Sequence, residues 1–472
     1  MEHSTQEALQ LAFESQRAAY AREPMPSLAV RKDRLKRLIE MTRKNEQALC
    51  EAIAQDFGHR AHQETMLAEV FTSITGAEHA LKHLRSWMKT RRMPTALHFM
   101  PGSNALMPQP LGVVGIIAPW NYPYYLTTGP ALAALAAGNR VMIKPSELTP
   151  ATSALMARMV AEHFSPEEMT VLTGDADLAR AFSALPFDHL FFTGSTAVGR
   201  HVAQAAAKNL TPVTLELGGK SPAIFDRSCK LELSASRLAY GKLLNAGQTC
   251  VAPDYVLAPR DMVRPLAEAV LRHWQRMVPT VHANPDYTSI ATPRHRARLQ
   301  QLLDDAKAHG AELLPSHPQE LDPGAGRKLV PHVVLTPRAD MQLMREEIFG
   351  PILPIVPYDS LEQAIAQVNA GDRPLALYFF GEDRRAREQV LNQTHAGGVT
   401  INDCIWHLGQ ESQPFGGVGA SGMGAYHGEW GFDTFSKLKP VFVQSRFAGT
   451  RLFQPPYGST FKTIFGLLRK IV

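Results

Sequence analysis

The segment Gly247-Gln248-Thr249-Cys250 sets a cysteine after a glycine, and Glu216 lies upstream in Leu215-Glu216-Leu217-Gly218-Gly219-Lys220-Ser221-Pro222. A thiolate attacks an electrophilic carbon, and a carboxylate held near neutrality activates the water that cleaves the resulting thioester. A lone cysteine after a helical stretch is more often a small core residue than a nucleophile. The surrounding glycines and the Glu216 motif reverse that preference here. Asn121 follows a buried apolar run, where its side-chain amide can donate to a developing oxyanion. Without the other motifs, an asparagine before Tyr-Pro reads as an ordinary turn residue.

A second group of residues has the spacing of a nucleotide site. Phe191-Phe192-Thr193-Gly194-Ser195-Thr196-Ala197-Val198-Gly199 places a glycine-bounded turn between an apolar strand and a helical stretch from Val198 to Lys208. Backbone amides at such a helix start receive a pyrophosphate, so Gly194, Ser195 and Gly199 are cofactor-binding candidates. Gly194 to Gly199 also has the glycine spacing of a P-loop, but Arg200-His201 stands where Lys-Ser/Thr is needed, which disfavours a nucleoside triphosphatase. Gly417-Val418-Gly419-Ala420-Ser421-Gly422 fits G-x-G-x-x-G, yet no apolar strand leads into it; it reads as a backbone-shaping loop under the catalytic residues.

These stretches, with Pro119-Trp120-Asn121-Tyr122-Pro123, Lys144-Pro145-Ser146-Glu147, Glu347-Ile348-Phe349-Gly350-Pro351 and Pro414-Phe415-Gly416-Gly417-Val418-Gly419, resemble in order the signatures of the NAD(P)-dependent aldehyde dehydrogenase superfamily. The Gly416–Gly428 stretch is similar to class 3 members, and Pro455-Pro456-Tyr457-Gly458 to bacterial members that oxidise coniferyl aldehyde. The resemblance implies an aldehyde oxidised to its carboxylic acid through a Cys250 thioester, with Asn121 and the Cys250 N–H on the oxyanion and Glu216 in deacylation. It assigns Lys144 and Glu147 to the adenosine ribose, and Glu347 and Phe349 to the nicotinamide ribose and ring. Glu147 near the 2′-hydroxyl favours NAD over NADP, although class 3 members accept both. Trp120, Tyr122, Trp406 and His407 are candidates for an aromatic tunnel that takes an aromatic or medium-chain apolar aldehyde, although aromatics flanking a sheet are more often plain core. Rival readings are a CoA-acylating dehydrogenase, disfavoured by Glu216, a cysteine hydrolase, which lacks a placed histidine base, and a structural protein, which would need none of these residues.

The elements that must position these residues follow from the apolar pattern. Residues 5–55 and 63–91 are charged and periodic, as in long surface helices. From residue 112, apolar runs at 112–118, 140–143, 171–172, 189–192 and 213–215 alternate with helical stretches at 126–137 and 152–163, which predicts a doubly wound parallel sheet. A second α/β segment follows: strands at 223–225, 255–257 and 332–335, and helices at 233–245, 262–277, 294–309 and 361–369. The expected organisation is an aldehyde dehydrogenase-like α/β fold. A Rossmann-type cofactor domain takes residues 1–90 and 108–216, and a catalytic domain 217–410. By resemblance, 91–107 and 411–445 form a β-strand oligomerisation arm, implying a homodimer, and 446–472 a basic tail.

Composition sets the remaining bounds. The 472 residues are 45% hydrophobic, as in an ordinary soluble protein of more than one domain. The N-terminal stretch has no apolar core of a secretory signal, and the four cysteines are too scattered for a disulfide framework, so a cytoplasmic location is expected. The net charge of +5 resides in the tail, which from Lys437 onward is basic without an acidic side chain; the nearly neutral body argues against nucleic-acid binding. The tail's apolar positions 461, 464, 465, 468 and 472 follow helical spacing, too short to span a bilayer but suited to weak peripheral membrane contact or to docking on protein. His79 and His83 lie one helical turn apart without an evident third ligand, so a solvated face is the reading and no metal is expected.

Overall fold

The computed structural model describes residues 5–321, 326–449 and 453–469. It opens with the helices Gln6–Arg22, Leu28–Lys44 and Glu46–Phe57. Thr5 and Ser27 accept from the Ala8 and Val30 amides as N-caps, and Gly58 ends the third helix at φ 74°, a conformation that needs no Cβ. A π-helical turn, Met66–Phe71, separates the short helix His62–Thr65 from Thr72–Trp87. On the latter, His79 and His83 stack in sequence with Trp87.

The first sheet holds the parallel strands Val113–Ile117, Arg140–Lys144, Met169–Val171, His189–Thr193 and Val213–Glu216. Every residue of the 113–117, 140–144 and 189–193 strands is buried, because helices cover both faces; this is why they read as continuous apolar runs. From the 113–117 strand the chain moves outward through 140–144 to 169–171, then returns to the other flank with 189–193 and 213–216. That reversal opens a crevice at the carboxyl ends of the 113–117 and 189–193 strands, the usual ligand position in an open α/β sheet.

Residues 217–221 then carry the chain from the carboxyl edge of this sheet to the amino edge of a second. Its strand order is Glu312–Pro315, His332–Leu335, Ile352–Tyr358, Tyr255–Pro259, Pro222–Phe225, Ala376–Phe380 and Gly398–Ile401, with only the first antiparallel. The strands at 352–358, 376–380 and 398–401 go beyond the sequence reading. Pro354 and Pro357 mask the first of them, since proline within an apolar run argues against a central strand.

Arg91–Met93, Ser103–Pro110 and Ser436–Val443 form a separate antiparallel sheet. Residues 411–435, expected in the same arm, lie elsewhere. Phe415 bridges Tyr426, Gly422–Met423 pairs with Val213–Glu216, and the helix Gly428–Thr434 sets Phe432 on Trp87. Their glycines serve close backbone packing: a Cβ on Gly417 would lie 2.1 Å from the Ser421 carbonyl oxygen, and one on Gly422 2.4 Å from that of Leu215. Among the described residues no helix is long and apolar enough to cross a membrane.

Candidate active site

A cavity of about 620 Å³ occupies the crevice between the two large sheets. The first sheet supplies Trp120 and Asn121 beyond its central strand, Thr193 to Ala197 at the next, and Glu216 to Gly218 at the edge. Facing them are Cys250, Glu347 and Phe349 from loops that enter the second sheet, and His295 and Arg298 from the helix Pro293–Ala308. Phe415 and Tyr426 complete the wall.

The approach to Cys250 is an unusual turn. The helix expected to run through Asn245 stops at Leu243, and Asn245, Ala246 and Gly247 then take φ of 52°, 51° and 74°. Left-handed conformations of non-glycine residues are costly, so the surroundings must enforce them. Asn245 Nδ2 donates to the carbonyls of Asn121 (3.0 Å) and Gln248 (3.1 Å), while Gln248 Nε2 donates to the Ser289 carbonyl at 3.0 Å. Gln248 Oε1 accepts from the Ala291 amide at 2.8 Å. Asn121 Nδ2 donates to the Gln248 carbonyl at 3.1 Å, and the Tyr122 and Thr249 hydroxyls bond at 2.7 Å. The cysteine turn and the Asn121 loop are thus one interlocked unit.

Burial raises the acid groups of this unit. The Cys250 thiol is pushed up to about 12, first by burial and then by the Glu347 and Glu216 carboxylates, against which the Cys250 and Val251 amides act. Glu216 lies well above the ordinary carboxylate value through burial alone, and neither of its oxygens meets a hydrogen-bond partner among the described residues. Its backbone is fixed on both sides, by the Gly194 amide on its carbonyl (3.0 Å) and by register with Gly422. Glu347 is pushed up to about 8 by burial and then by Asp254.

Of the cofactor candidates, Gly194, Ser195, Glu347 and Phe349 line this cavity, whereas Lys144, Glu147 and Gly199 do not. Ser195 caps the helix Thr196–Ala207 by accepting from the Val198 amide, Thr196 and Ala197 of its first turn line the cavity, and a Cβ on Gly199 would lie 2.7 Å from Leu217. A Cβ on Gly194 would meet the Phe192 ring at 2.6 Å, and one on Gly218 the Glu347 carboxylate at 2.1 Å. Lys144, buried at the end of its strand, donates to Glu147 Oε2 at 2.8 Å, while Glu147 itself is exposed. Thr193 Oγ1, a buried hydroxyl without a partner among the described residues, and the helix start at Thr196 on the same wall fit an elongated polar ligand such as a dinucleotide.

Of the four aromatic tunnel candidates, Trp120 alone lines this cavity, against Phe349 (5.5 Å between ring centres) and stacked on His295 (4.6 Å). Tyr122 is buried under Thr249, Trp406 is 50% exposed, and His407 bonds Thr400 Oγ1 behind Phe415. Neither Trp406 nor His407 lines the cavity. His295, Arg298, Phe415 and Tyr426 were not singled out in the sequence. Phe415 and Tyr426 fall within the motif stretches Pro414–Gly419 and Gly416–Gly428, whereas a helix face carrying His295 and Arg298 gives no sign of what it faces.

Residues 1–441 match the aldehyde dehydrogenase family. The chain belongs to this family. It is 50% identical over 466 residues to a probable coniferyl aldehyde dehydrogenase of Pseudomonas aeruginosa, covering 98% of this chain and 97% of that relative. A substrate-bound state of Staphylococcus aureus AldH superposes with a TM-score of 0.92 at 37% identity, over 98% of this chain and 99% of that one. An NAD+ complex of aldehyde dehydrogenase from Bacillus cereus superposes with a TM-score of 0.84 at 26% identity, over 94% and 90%. As a family member the chain is an NAD(P)-dependent oxidoreductase acting on aldehydes.

Proposed function

We propose that Cys250 loses its thiol proton to water in the cavity and that the thiolate attacks the aldehyde carbon, while Asn121 Nδ2 and the Cys250 amide take up the negative charge on oxygen. Bound NAD(P)+ supplies the hydride acceptor, held by the amides at the start of 196–207, by Lys144 and Glu147 at the ribose, and by Glu347 and Phe349 near the ring. A thioester on Cys250 remains. Glu216 then takes a proton from water, whose oxygen adds to the acyl carbon; the thiolate leaves and the carboxylic acid is released. The observation that carries this reading is the buried Glu216 carboxyl, free of hydrogen-bond partners among the described residues, in the cavity that holds Cys250. It also favours hydrolysis over transfer to CoA. The test is Glu216→Gln: steady-state turnover falls, while a single turnover still yields up to about one reduced cofactor per site. Loss of the first turnover as complete as that of later ones rejects a role confined to deacylation.

An aromatic aldehyde of the coniferyl type is the proposed substrate, with medium-chain apolar aldehydes next. The relative from Pseudomonas aeruginosa and the cavity wall of Trp120, Leu126, Phe415 and Tyr426 support this. Several buried carbons, at about 0.8 kcal/mol per methylene, separate such a substrate from acetaldehyde. Equal kcat/KM for acetaldehyde and cinnamaldehyde rejects the proposal. Glu147 supports NAD over NADP. The domain division proposed is a cofactor unit of 1–90 and 108–216 and a catalytic unit of 217–410, joined by the 217–221 link. A cytoplasmic homodimer is proposed from the unpaired edge of the three-stranded sheet and the four free cysteines. Weak peripheral membrane contact through the tail is the second reading, favoured by its basic residues.

A further inference from the structure

Arg60 and Glu69 form an ion pair with both side chains at 0% exposure. The π-helical turn Met66–Phe71 carries Glu69, and its wider register delivers the carboxylate inward. Glu69 Oε2 accepts from the amides of Tyr124 (2.7 Å) and Tyr125 (3.1 Å), which caps a helix whose own N-cap residue, Tyr124, makes no side-chain capping bond. Glu69 Oε1 accepts from Arg60 at 2.7 Å. The same guanidinium nitrogen donates to the Asn121 carbonyl at 3.2 Å, and the group lies over the Tyr122 ring at 4.8 Å. From one side, then, a single buried pair grips the main chain at 121, 124 and 125. From the other side Asn245 Nδ2 reaches the same Asn121 carbonyl from the cysteine turn.

A buried ion pair contributes little stability beyond apolar residues of equal volume, whereas its geometry is strongly directional. We propose that Arg60, held by Glu69, is a positioning residue for aldehyde oxidation: it fixes the Asn121 main chain and so aims the Asn121 side-chain amide at the carbonyl oxygen of the substrate. This rests on the reading of Asn121 as an oxyanion donor. Arg60 is not among the residues that line the cavity.

The test is a mutant cycle on the full-length enzyme. Arg60→Met with Glu69→Gln removes the guanidinium without stranding a carboxylate, and the glutamine keeps an acceptor for the 124 and 125 amides. Removing one oxyanion donor costs about 100- to 1000-fold, so Asn121→Ala should lose that much in kcat and the paired replacement about 10- to 100-fold, with KM for NAD+ within about twofold. Combined with Asn121→Ala, the pair should add less than about threefold, because groups acting through one another are non-additive. Arg60→Lys keeps the charge while losing the planar fork, so a loss of about three- to tenfold is expected, again absent beside Asn121→Ala. It carries the test if the paired replacement is insoluble. Wild-type kcat in the Arg60 variants, or losses that multiply with that of Asn121→Ala, overturn the positioning role alone. Wild-type kcat in Asn121→Ala overturns the oxyanion reading, and the inference with it.

Discussion

Cys250 is surrounded by groups that keep it protonated: burial and two carboxylates hold its thiol at about 12. Glu347, itself at about 8, is neutral below that pH and does not repel a thiolate; above it, the ionised carboxylate does. Glu347→Gln should therefore leave alkylation of Cys250 by iodoacetamide unchanged at pH 7 in the cofactor-free protein. At pH 9 it should speed alkylation by roughly three- to tenfold, since one pKa unit is a factor of ten in thiolate. Equal rates at pH 9 would show that Glu347 does not govern the thiol. The other cysteines occupy plainer surroundings. Cys50 Sγ rests 3.7 Å from the His62 carbonyl and Cys404 is packed against Gly241, so neither meets the cavity. Cys250→Ala should abolish turnover, whereas Cys50→Ala, Cys229→Ala and Cys404→Ala should retain most of it. Substantial turnover by Cys250→Ala would remove the thioester mechanism altogether.

Elements set this chemistry through backbone that only certain residues tolerate. Gly247 has φ 74°, and a Cβ there would stand 2.4 Å from the Gly350 carbonyl oxygen; Gly310 has φ 79° with nothing within 4 Å. Gly310→Ala should cost only the left-handed penalty, about 1 to 2 kcal/mol. Gly247→Ala adds a backbone clash in the turn before Cys250, so it should lower the melting temperature further and reduce kcat, which Gly310→Ala leaves intact. Equal melting shifts and full activity would mean that the turn is not held by that approach. The same contrast shows what the sequence discloses. Strands buried on both faces read as apolar runs, so 113–117, 140–144 and 189–193 were legible, and Cys250, Glu216 and Asn121 stood in motifs. Asn245 reads as the end of a helix, because its left-handed conformation is enforced by a bond to Asn121 from a distant segment together with one to Gln248 within the turn. Residues 411–435 are expected in an arm by resemblance alone, and the glycine backbone approaches that place them against Val213–Glu216 carry no sequence signal. The Arg60–Glu69 pair shows no sequence signal, since only the π-helical turn brings the two together.

At the scale of the whole molecule, the surface near the three-stranded sheet carries large exposed apolar side chains: Leu97, Phe99, Met100, Val443, Phe447 and Leu467. The helix Ser459–Leu468 lies beside them, with Phe461 and Phe465 stacked at 5.5 Å along one face and a groove of about 340 Å³ between it and His98, Phe99 and Met100. Arg451 and Lys470–Val472 lie outside the described residues, so the full run of basic and apolar positions read from the sequence is placed only in part. An apolar surface beside an unpaired sheet edge suits a second copy of the chain, where burial removes both the apolar area and the open edge. A basic amphipathic helix also suits an anionic bilayer, but such binding falls steeply with salt. Sedimentation velocity of the full chain and of a truncation after Ser445 tests the first: a dimer is expected, weakened or dissociated by the truncation. Co-sedimentation with phosphatidylglycerol vesicles at low and physiological salt tests the second, and no pelleting at physiological salt is expected. A monomeric full-length chain together with vesicle binding that persists at physiological salt and is lost on truncation would transfer this surface from the dimer to the membrane.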